Sequence, residues 1–279
     1  MKVLVFGGSG LLGSALVEVL PDLGHELRAP ARAAYDIRSG PPPKSLFAGV
    51  DAAINAAAVK PGEDSDTAAW RVNAAFPHEV ARACAEAGVP CVHISTDGVF
   101  SGSAGPYQEA AVPDPDDAYG IQKRAGEPAG CLVLRTSVIG PEQRGRRALL
   151  CWFLAQRTRV PGYVNHLWNG MTSLTLARAI AHLLAAGLVP PGVRHLHGED
   201  TNKHDLLQAL ARAYGRDIVI DKAAAPVARD RRLRTRHPEF LAACAIPPLA
   251  EQLAELAALS DARGCWRARL TGTRSAGPA

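Results

Sequence analysis

The sequence predicts an α/β fold, a doubly wound parallel sheet with a smaller C-terminal substrate lobe. Three observations predict it. The chain opens on a short apolar run, Val3-Leu4-Val5-Phe6, that ends in glycine, as a buried parallel strand does. Further apolar runs of strand length alternate with stretches of helical periodicity, the pattern of βαβ units. The polar clusters that could carry chemistry fall where those runs end, and ligands of such sheets bind beyond the carboxyl ends of the strands.

Each element follows in order. Leu11 to Leu20 carries apolar residues at helical spacing and Pro21 is expected to stop it. His25 to Ala29 reads as the second strand and Val50 to Ala57 as the third. Ala68 to Ala87 reads as a long helix closed by Gly88, and Val89 to Ile94 as a strand. Ala118 to Glu127 reads as a helix and Cys131 to Leu134 as a strand. Beyond Gly140 the pattern loosens. Helices are expected at Ala148–Gln156, Leu174–Leu184, Asp205–Tyr214 and Leu249–Ala258, with a late strand over His195-Leu196-His197. This divides the chain into a dinucleotide-binding part, residues 1–140 with a segment near 172–200 returning to it, and a substrate lobe, 141–171 and 201–262. Residues 263–279 are expected to form a flexible tail.

Composition narrows the function classes. The chain has 279 residues, 47% hydrophobic and 21% charged, enough for one sizeable core and a lobe. A formal net charge of +4 is too small to argue for nucleic acid and suits a small anionic partner. The 6 cysteines form no CxxC pair and lack zinc-like spacing, so no metal site is expected and a reduced, cytoplasmic setting is the economical reading. The amino-terminal apolar run breaks at Gly7-Gly8, too short for a signal or a membrane span, and no other run is long enough to cross a bilayer. A homodimer is compatible with the sequence.

Gly7-Gly8-Ser9-Gly10-Leu11-Leu12-Gly13 leaves the first strand and opens the first helix. Glycines there permit a tight turn and let backbone approach a pyrophosphate, which the helix amino terminus favours. Strand before and helix after make this a Rossmann-type dinucleotide turn rather than a chance glycine cluster. An NAD enzyme usually has Asp or Glu at the end of the second strand. Here the stretch Leu27 to Tyr35 has no acid and carries Arg28 and Arg32, which favours the 2′-phosphate of NADP(H). Asp36 and Ile37 are expected to face the adenine ring.

Tyr119-Gly120-Ile121-Gln122-Lys123 is a YxxxK pair on a helix, so the two functional side chains share a face. A lysine cation there stabilises a tyrosinate, and the tyrosine can exchange a proton with a substrate oxygen as hydride moves. Ser95-Thr96-Asp97 leaves the strand upstream and offers a hydroxyl to the same oxygen.

At this point the sequence resembles a known family. His93-Ile94-Ser95-Thr96-Asp97-Gly98-Val99-Phe100, Gly105-Pro106-Tyr107-Gln108-Glu109 and Tyr119-Gly120-Ile121-Gln122-Lys123-Arg124-Ala125-Gly126-Glu127 resemble the core of the dTDP-4-dehydrorhamnose reductase family, extended short-chain dehydrogenases/reductases. Asn55-Ala56-Ala57-Ala58, Arg71-Val72-Asn73 and Leu134-Arg135-Thr136-Ser137 resemble its cofactor-side strand end, its structural-Asn helix and the strand after the catalytic helix. The resemblance covers the first half well and the rest loosely. It implies a two-lobed fold, a catalytic set of Thr96, Tyr119 and Lys123, and NADPH-dependent reduction of a keto group on a nucleotide-activated deoxysugar such as a dTDP-4-keto-6-deoxyhexose.

The full expected site has a cofactor side of Gly7, Ser9, Gly10, Leu11, Leu12, Gly13, Arg28, Arg32, Asp36, Ile37, Asn55, Ala56 and Ala57, joined by Tyr119 and Lys123. Its substrate side is Asp97, Gly98, Val99, Arg146 and Trp168. Two departures from the family fall on the substrate side: Gly98 stands where a tyrosine is common, and Asn165 to Thr172 replaces a Gly-x-Pro-Thr-like loop. The sugar and the nucleotide stay open, as do two other functions: an epimerase or dehydratase on the same scaffold, or a non-catalytic NADP-binding regulatory subunit. Trp152 reads as core, Asp114, Asp116 and Asp117 as loop and helix-cap residues, and the arginine run from Arg229 to Arg236 is given no role.

Overall fold

The structure, a computed structural model, describes residues 1–142 and 148–260. The expected tail, the basic cluster that includes Arg146, and Cys265 lie outside the described residues.

Strand β1 (Lys2–Phe6) sits between β2 (Glu26–Arg28) and β3 (Ala52–Asn55). Its alternate side chains enter different cores: Val3 and Val5 one, Leu4 and Phe6 the other, all four buried. That is why the run reads as continuously apolar. Helix α1 (Leu11–Asp22) follows β1. It runs past Pro21, which the sequence reading took as its stop. The Leu23 amide still reaches the Val19 carbonyl at 3.1 Å, so the last turn closes and the chain leaves through Gly24 at φ +79°.

The long helix is present but not uniform. Helix α2 (Asp66–Trp70) and helix α3 (Phe76–Ala87) are joined by a π turn over Arg71–Ala75. Pro77 has no N–H to offer the Asn73 carbonyl, so a regular turn is disfavoured there. The freed carbonyl is met by Gly126, whose added Cβ would lie only 1.9 Å from it. Strand β4 (Cys91–Ile94), helix α4 (Ala118–Ala125) and strand β5 (Leu132–Arg135) complete the first half.

The second half begins with β6 (Val138–Ile139), helix α5 (Leu149–Ala155), β7 (Arg159–Tyr163), β8 (His166–Trp168) and β9 (Met171–Thr172). Helix α6 (Ser173–Ala185) packs on α1, and β10 (Gly192–His195) adds to the main sheet. The late strand is therefore shifted from the expected His195–His197. His195 is its last residue, opposite Arg135, because the apolar side chain that the core takes beyond it is Leu196. Then come β11 (Thr201–Asn202), α7 (Lys203–Ala213), β12 (Val219–Ala223), β13 (Arg229–Asp230), α8 (Pro238–Ala243) and α9 (Leu249–Leu259).

The main sheet has six strands in the order β10-β5-β4-β3-β1-β2, all parallel. Strand order reverses beside β1, so a crevice opens beyond the carboxyl ends of β1 and β3. A small sheet, β11-β8-β13, carries Trp168 and Arg229 toward that end of the molecule. The described cysteines are all buried. Among the described residues no helix is long and apolar enough to cross a membrane.

Candidate active site

The glycine turn is shaped by contacts that only glycine permits. Gly7 has φ +84°, and a Cβ on it would lie 2.6 Å from the Ala57 nitrogen. A Cβ on Gly13 would lie 1.9 Å from the Gly7 carbonyl oxygen, so α1 sits hard against the turn. Gly10 caps α1 without a side-chain hydrogen bond, which leaves the first helix N–H groups for a ligand.

Ser9, Gly10, Leu11 and Leu12 line a cleft of about 690 Å³ together with Ala56 and Ala57. Asn55 lies beneath: its Oδ1 accepts from the Ala57 amide at 3.2 Å and its Nδ2 meets His93 Nδ1 at 3.3 Å. Thr136, also in the cleft wall, has a buried Oγ1 with no partner. Backbone donors, the missing Cβ atoms and an orphan hydroxyl fit an extended dinucleotide.

Thr96, Tyr119 and Lys123 converge on the same cleft. Asp117 starts α4 by accepting from the Gly120 amide at 2.7 Å. A Cβ on Gly120 would lie 2.2 Å from the Gly98 carbonyl oxygen, so α4 packs directly on the short 3-10 turn Asp97–Val99. Lys123 is 2% exposed and donates from Nζ to the Ile94 carbonyl at 2.7 Å. Burial lowers its pKa to about 8, against the opposing charge of Glu127. Burial raises the Tyr119 phenol, helped by Asp97, Glu63 and Asp117, so it is held protonated at neutral pH. Thr96 Oγ1 accepts from the Gly98 amide at 3.0 Å and donates to Asp97 Oδ1 at 3.2 Å.

Gln122, between the two functional side chains, is also buried. Its Oε1 accepts from Asn73 Nδ2 at 2.9 Å. Asn73 in turn brackets Val59, accepting from its amide at 2.8 Å and donating to its carbonyl at 2.7 Å. The π turn thus ties the cleft wall at Val59 to α4.

A second cavity of about 330 Å³ shares Ser137 and Val138 with the cleft. Asp97, Trp168, Lys203, Arg229 and Arg231 line it. Trp168 Nε1 donates to Ser137 Oγ at 2.7 Å. Burial raises the Asp97 carboxyl, opposed first by the charge of Arg231. Arg229 and Arg231 both donate to Asp116, at 2.7 and 3.1 Å, and Arg231 Nε is buried with no partner. Asp116 and Asp117 pair with these arginines and Asp97 adds a further carboxylate, so the donors left for an anionic ligand are Lys203 and the unpartnered Nε of Arg231. Sequence reasoning left Arg229 and Arg231 without a role, because only the returning strand β13 brings them beside Asp97. The one signal was their alternation, which on a strand puts both on one face.

Several expected residues are not brought to either cavity. Arg28 turns away, donating from Nη1 to the Leu46 and Ala48 carbonyls at 2.8 and 3.2 Å, so it fastens the loop before β3. Ile37 packs against the core cluster of Phe6 and Phe76, and Asp36 is held in ion pairs with Arg32 and Arg38. Val99 is fully buried with Phe100, Tyr107 and Leu233, because the 3-10 turn points its apolar side chain inward. Gly98 lies between the cavities, where an added Cβ would be 3.3 Å from Thr96 Oγ1 and 3.8 Å from Arg231 Nη1. Trp152 packs on the main core. Among the described residues no His, Cys, Asp or Glu cluster is arranged to hold a metal.

The family model for the RmlD substrate binding domain matches residues 1–239. The chain belongs to the dTDP-4-dehydrorhamnose reductase family. Over 225 residues this family member is 30% identical to a dTDP-4-dehydrorhamnose reductase of Salmonella typhimurium, covering 74% of this chain and 75% of the relative. It is 39% identical over 137 residues to one of Streptomyces griseus, covering 47% of this chain. That match spans 45% of the S. griseus protein, about half its length. In fold it is similar to the Bacillus anthracis dTDP-4-dehydrorhamnose reductase in complex with NADP, with a TM-score of 0.75 and 20% identity over 91% of this chain and 98% of that one.

Proposed function

We propose that this family member is an NADPH-dependent reductase of a keto group on a nucleotide-activated deoxysugar. The observation that carries the reading is the convergence of Thr96, Tyr119 and Lys123 on a cleft that also holds the glycine turn. Residues 1–140 with the returning segment 172–200 bind the dinucleotide in this reading, and the described parts of 141–171 and 201–262 bind the nucleotide sugar. When bound, the reduced nicotinamide supplies a hydride to the carbonyl carbon.

Ser9, Gly10, Leu11 and Leu12 hold the pyrophosphate, and Ala56 and Ala57 flank the dinucleotide. Tyr119 gives its proton to the oxygen that becomes an alkoxide, and the Thr96 hydroxyl, turned from Asp97 Oδ1, donates a hydrogen bond to that same oxygen. Lys123, as a cation, stabilises the tyrosinate left behind. Trp168 and Asp97 contact the sugar, while Lys203, Arg229 and Arg231 meet the diphosphate. The Salmonella and Streptomyces relatives, named for dTDP-4-dehydrorhamnose reduction, support the choice of substrate class.

The test is NADPH oxidation by the purified protein on 4-keto-6-deoxyhexoses carried by dTDP, UDP or GDP. Turnover on at least one is expected, with dTDP favoured. Tight NADPH binding without turnover on any of them would contradict the reading and point to a binding subunit.

A further inference from the structure

We infer that Ser137 is a positioning residue of the proposed reaction: it holds the Trp168 indole as a fixed wall of the sugar site. The inference rests on the reading of the second cavity as the place of the nucleotide sugar. Ser137 lines both that cavity and the cleft that holds Tyr119, so it stands where sugar and dinucleotide would meet.

Two segments bring the pair together. Ser137 follows β5, and its carbonyl accepts from the Met171 amide at 3.0 Å. Trp168 ends β8, opposite Thr201 of β11. The residues between them in space are fastened on several sides. Asn169 Oδ1 accepts from the Leu233 amide at 2.9 Å, and its Nδ2 donates to the Leu233 carbonyl at 2.9 Å. The Asn169 carbonyl accepts from the Gly198 amide at 2.7 Å. A Cβ on Gly170 would overlap both the Ser137 carbonyl oxygen and the Trp168 ring at Cζ2. The indole therefore folds back over Gly170 onto Ser137, a course that a larger residue at 170 would block.

With the backbone held, the torsions of the indole itself remain to be set. One hydrogen bond sets them: Trp168 Nε1 donates to Ser137 Oγ at 2.7 Å. That N–H is the only polar group of the ring. Spent on Ser137, it leaves the half-buried indole to offer the cavity an apolar face alone. Val138 and Leu167 line the cavity with it, and Lys203 and Arg231 line it too. The C–H face of a sugar suits the apolar part, and a diphosphate suits the cations. Without the Ser137 hydroxyl the N–H would have to seek another acceptor, and the ring would turn with it. Ser137 in turn gives its own proton to Asp97, which also takes the Thr96 hydroxyl. That second bond bears on Thr96 and hence on kcat, so KM is the quantity that reads the indole.

The experiment takes the full chain as wild type, Ser137→Ala, Ser137→Thr, Trp168→Phe and the double variant Ser137→Ala with Trp168→Phe. A proton–nitrogen correlation spectrum follows the indole N–H groups, and the signal lost in Trp168→Phe is that of Trp168. It should move upfield and exchange faster in Ser137→Ala, and return in Ser137→Thr, which keeps the hydroxyl. KM for a dTDP-4-keto-6-deoxyhexose should rise about tenfold in Ser137→Ala, the worth of one hydrogen bond, and recover in Ser137→Thr. NADPH affinity should stay unchanged. Trp168→Phe should raise KM alike, and the double variant should raise it no further. An unmoved Trp168 signal in Ser137→Ala would overturn the inference. So would a multiplied KM rise in the double variant, since Ser137 would then touch the sugar itself. A wild type that shows the indole shift but turns over no nucleotide sugar would overturn the reductase reading and leave the bond between Ser137 and Trp168 standing.

Discussion

At the scale of single residues, burial acts on Tyr119 and Lys123 in opposite directions. It keeps the phenol protonated, as a proton donor must be, and it weakens the hold of Lys123 on its proton. The cationic form of Lys123 is the useful one, so it is present below its pKa of about 8 and lost above it. Turnover at saturating substrate should therefore fall as pH rises through about 8, while dinucleotide binding changes less. A rate–pH profile flat to pH 10 would contradict that role for Lys123. Arg231→Ala should raise KM for the nucleotide sugar about ten- to hundredfold, the loss of one charge-assisted contact. Its kcat should change little. The convergence of Thr96, Tyr119 and Lys123 was legible in the sequence because two of them share one helix turn and the third follows a recognisable strand. Arg231 was not, since its ion-pair partner Asp116 and the carboxylate of Asp97 both lie far away in the chain.

At the scale of elements, close backbone contacts decide where the chemistry stands. Gly13→Ala would put a Cβ 1.9 Å from the Gly7 carbonyl, with no flexible side chain to yield. The variant should lose about 1–3 kcal/mol of stability, an overpacking cost, and most of its dinucleotide affinity; chemical denaturation with a binding titration measures both. Gln122→Leu removes one of the two acceptors of Asn73 Nδ2, keeping the Val59 carbonyl but leaving one buried N–H unpaired, at a cost of about 1–3 kcal/mol. If the Asn73 bridge also positions α4, kcat falls in this variant more than cofactor affinity does, whereas unchanged kcat would limit Gln122 to packing. The long elements were legible from periodicity, and α1, α6, α7 and α9 lie within about two residues of the expected bounds. The π turn was hidden, because Pro77 near the start of a helix and Pro77 inside a longer one read alike. The short strands β6 to β9 and β11 to β13 were missed because two to five residues carry too few alternations to reveal a period.

At the scale of the whole molecule, the returning C-terminal segment completes the second cavity, and Glu109 anchors that segment. Its carboxylate accepts from the His195 amide at 3.1 Å, Thr235 Oγ1 at 2.6 Å and the Arg236 amide at 2.9 Å. Burial would raise its pKa, but these hydrogen bonds win and lower it from 4.5. A lowered folded-state pKa gives stability that is full above the unfolded value and lost as pH falls through the folded one. Melting temperature should therefore drop below pH 4.5 by less in Glu109→Gln than in the wild type. Equal slopes would rule out Glu109 as the acid-sensitive anchor. The sheet and its glycine turn could be read from the chain, but this anchoring could not, because Glu109 and Thr235 meet only after the second half has folded back.

The proposed reaction has Tyr119 protonate a sugar alkoxide at a cleft that binds NADPH. It is tested most directly by following NADPH oxidation on a dTDP-4-keto-6-deoxyhexose with the wild type and Tyr119→Phe side by side, with NADPH affinity measured for both. Turnover by the wild type and a loss of about 10²–10⁴-fold in the variant, at unchanged NADPH affinity, are expected. Equal turnover by the two proteins would contradict it.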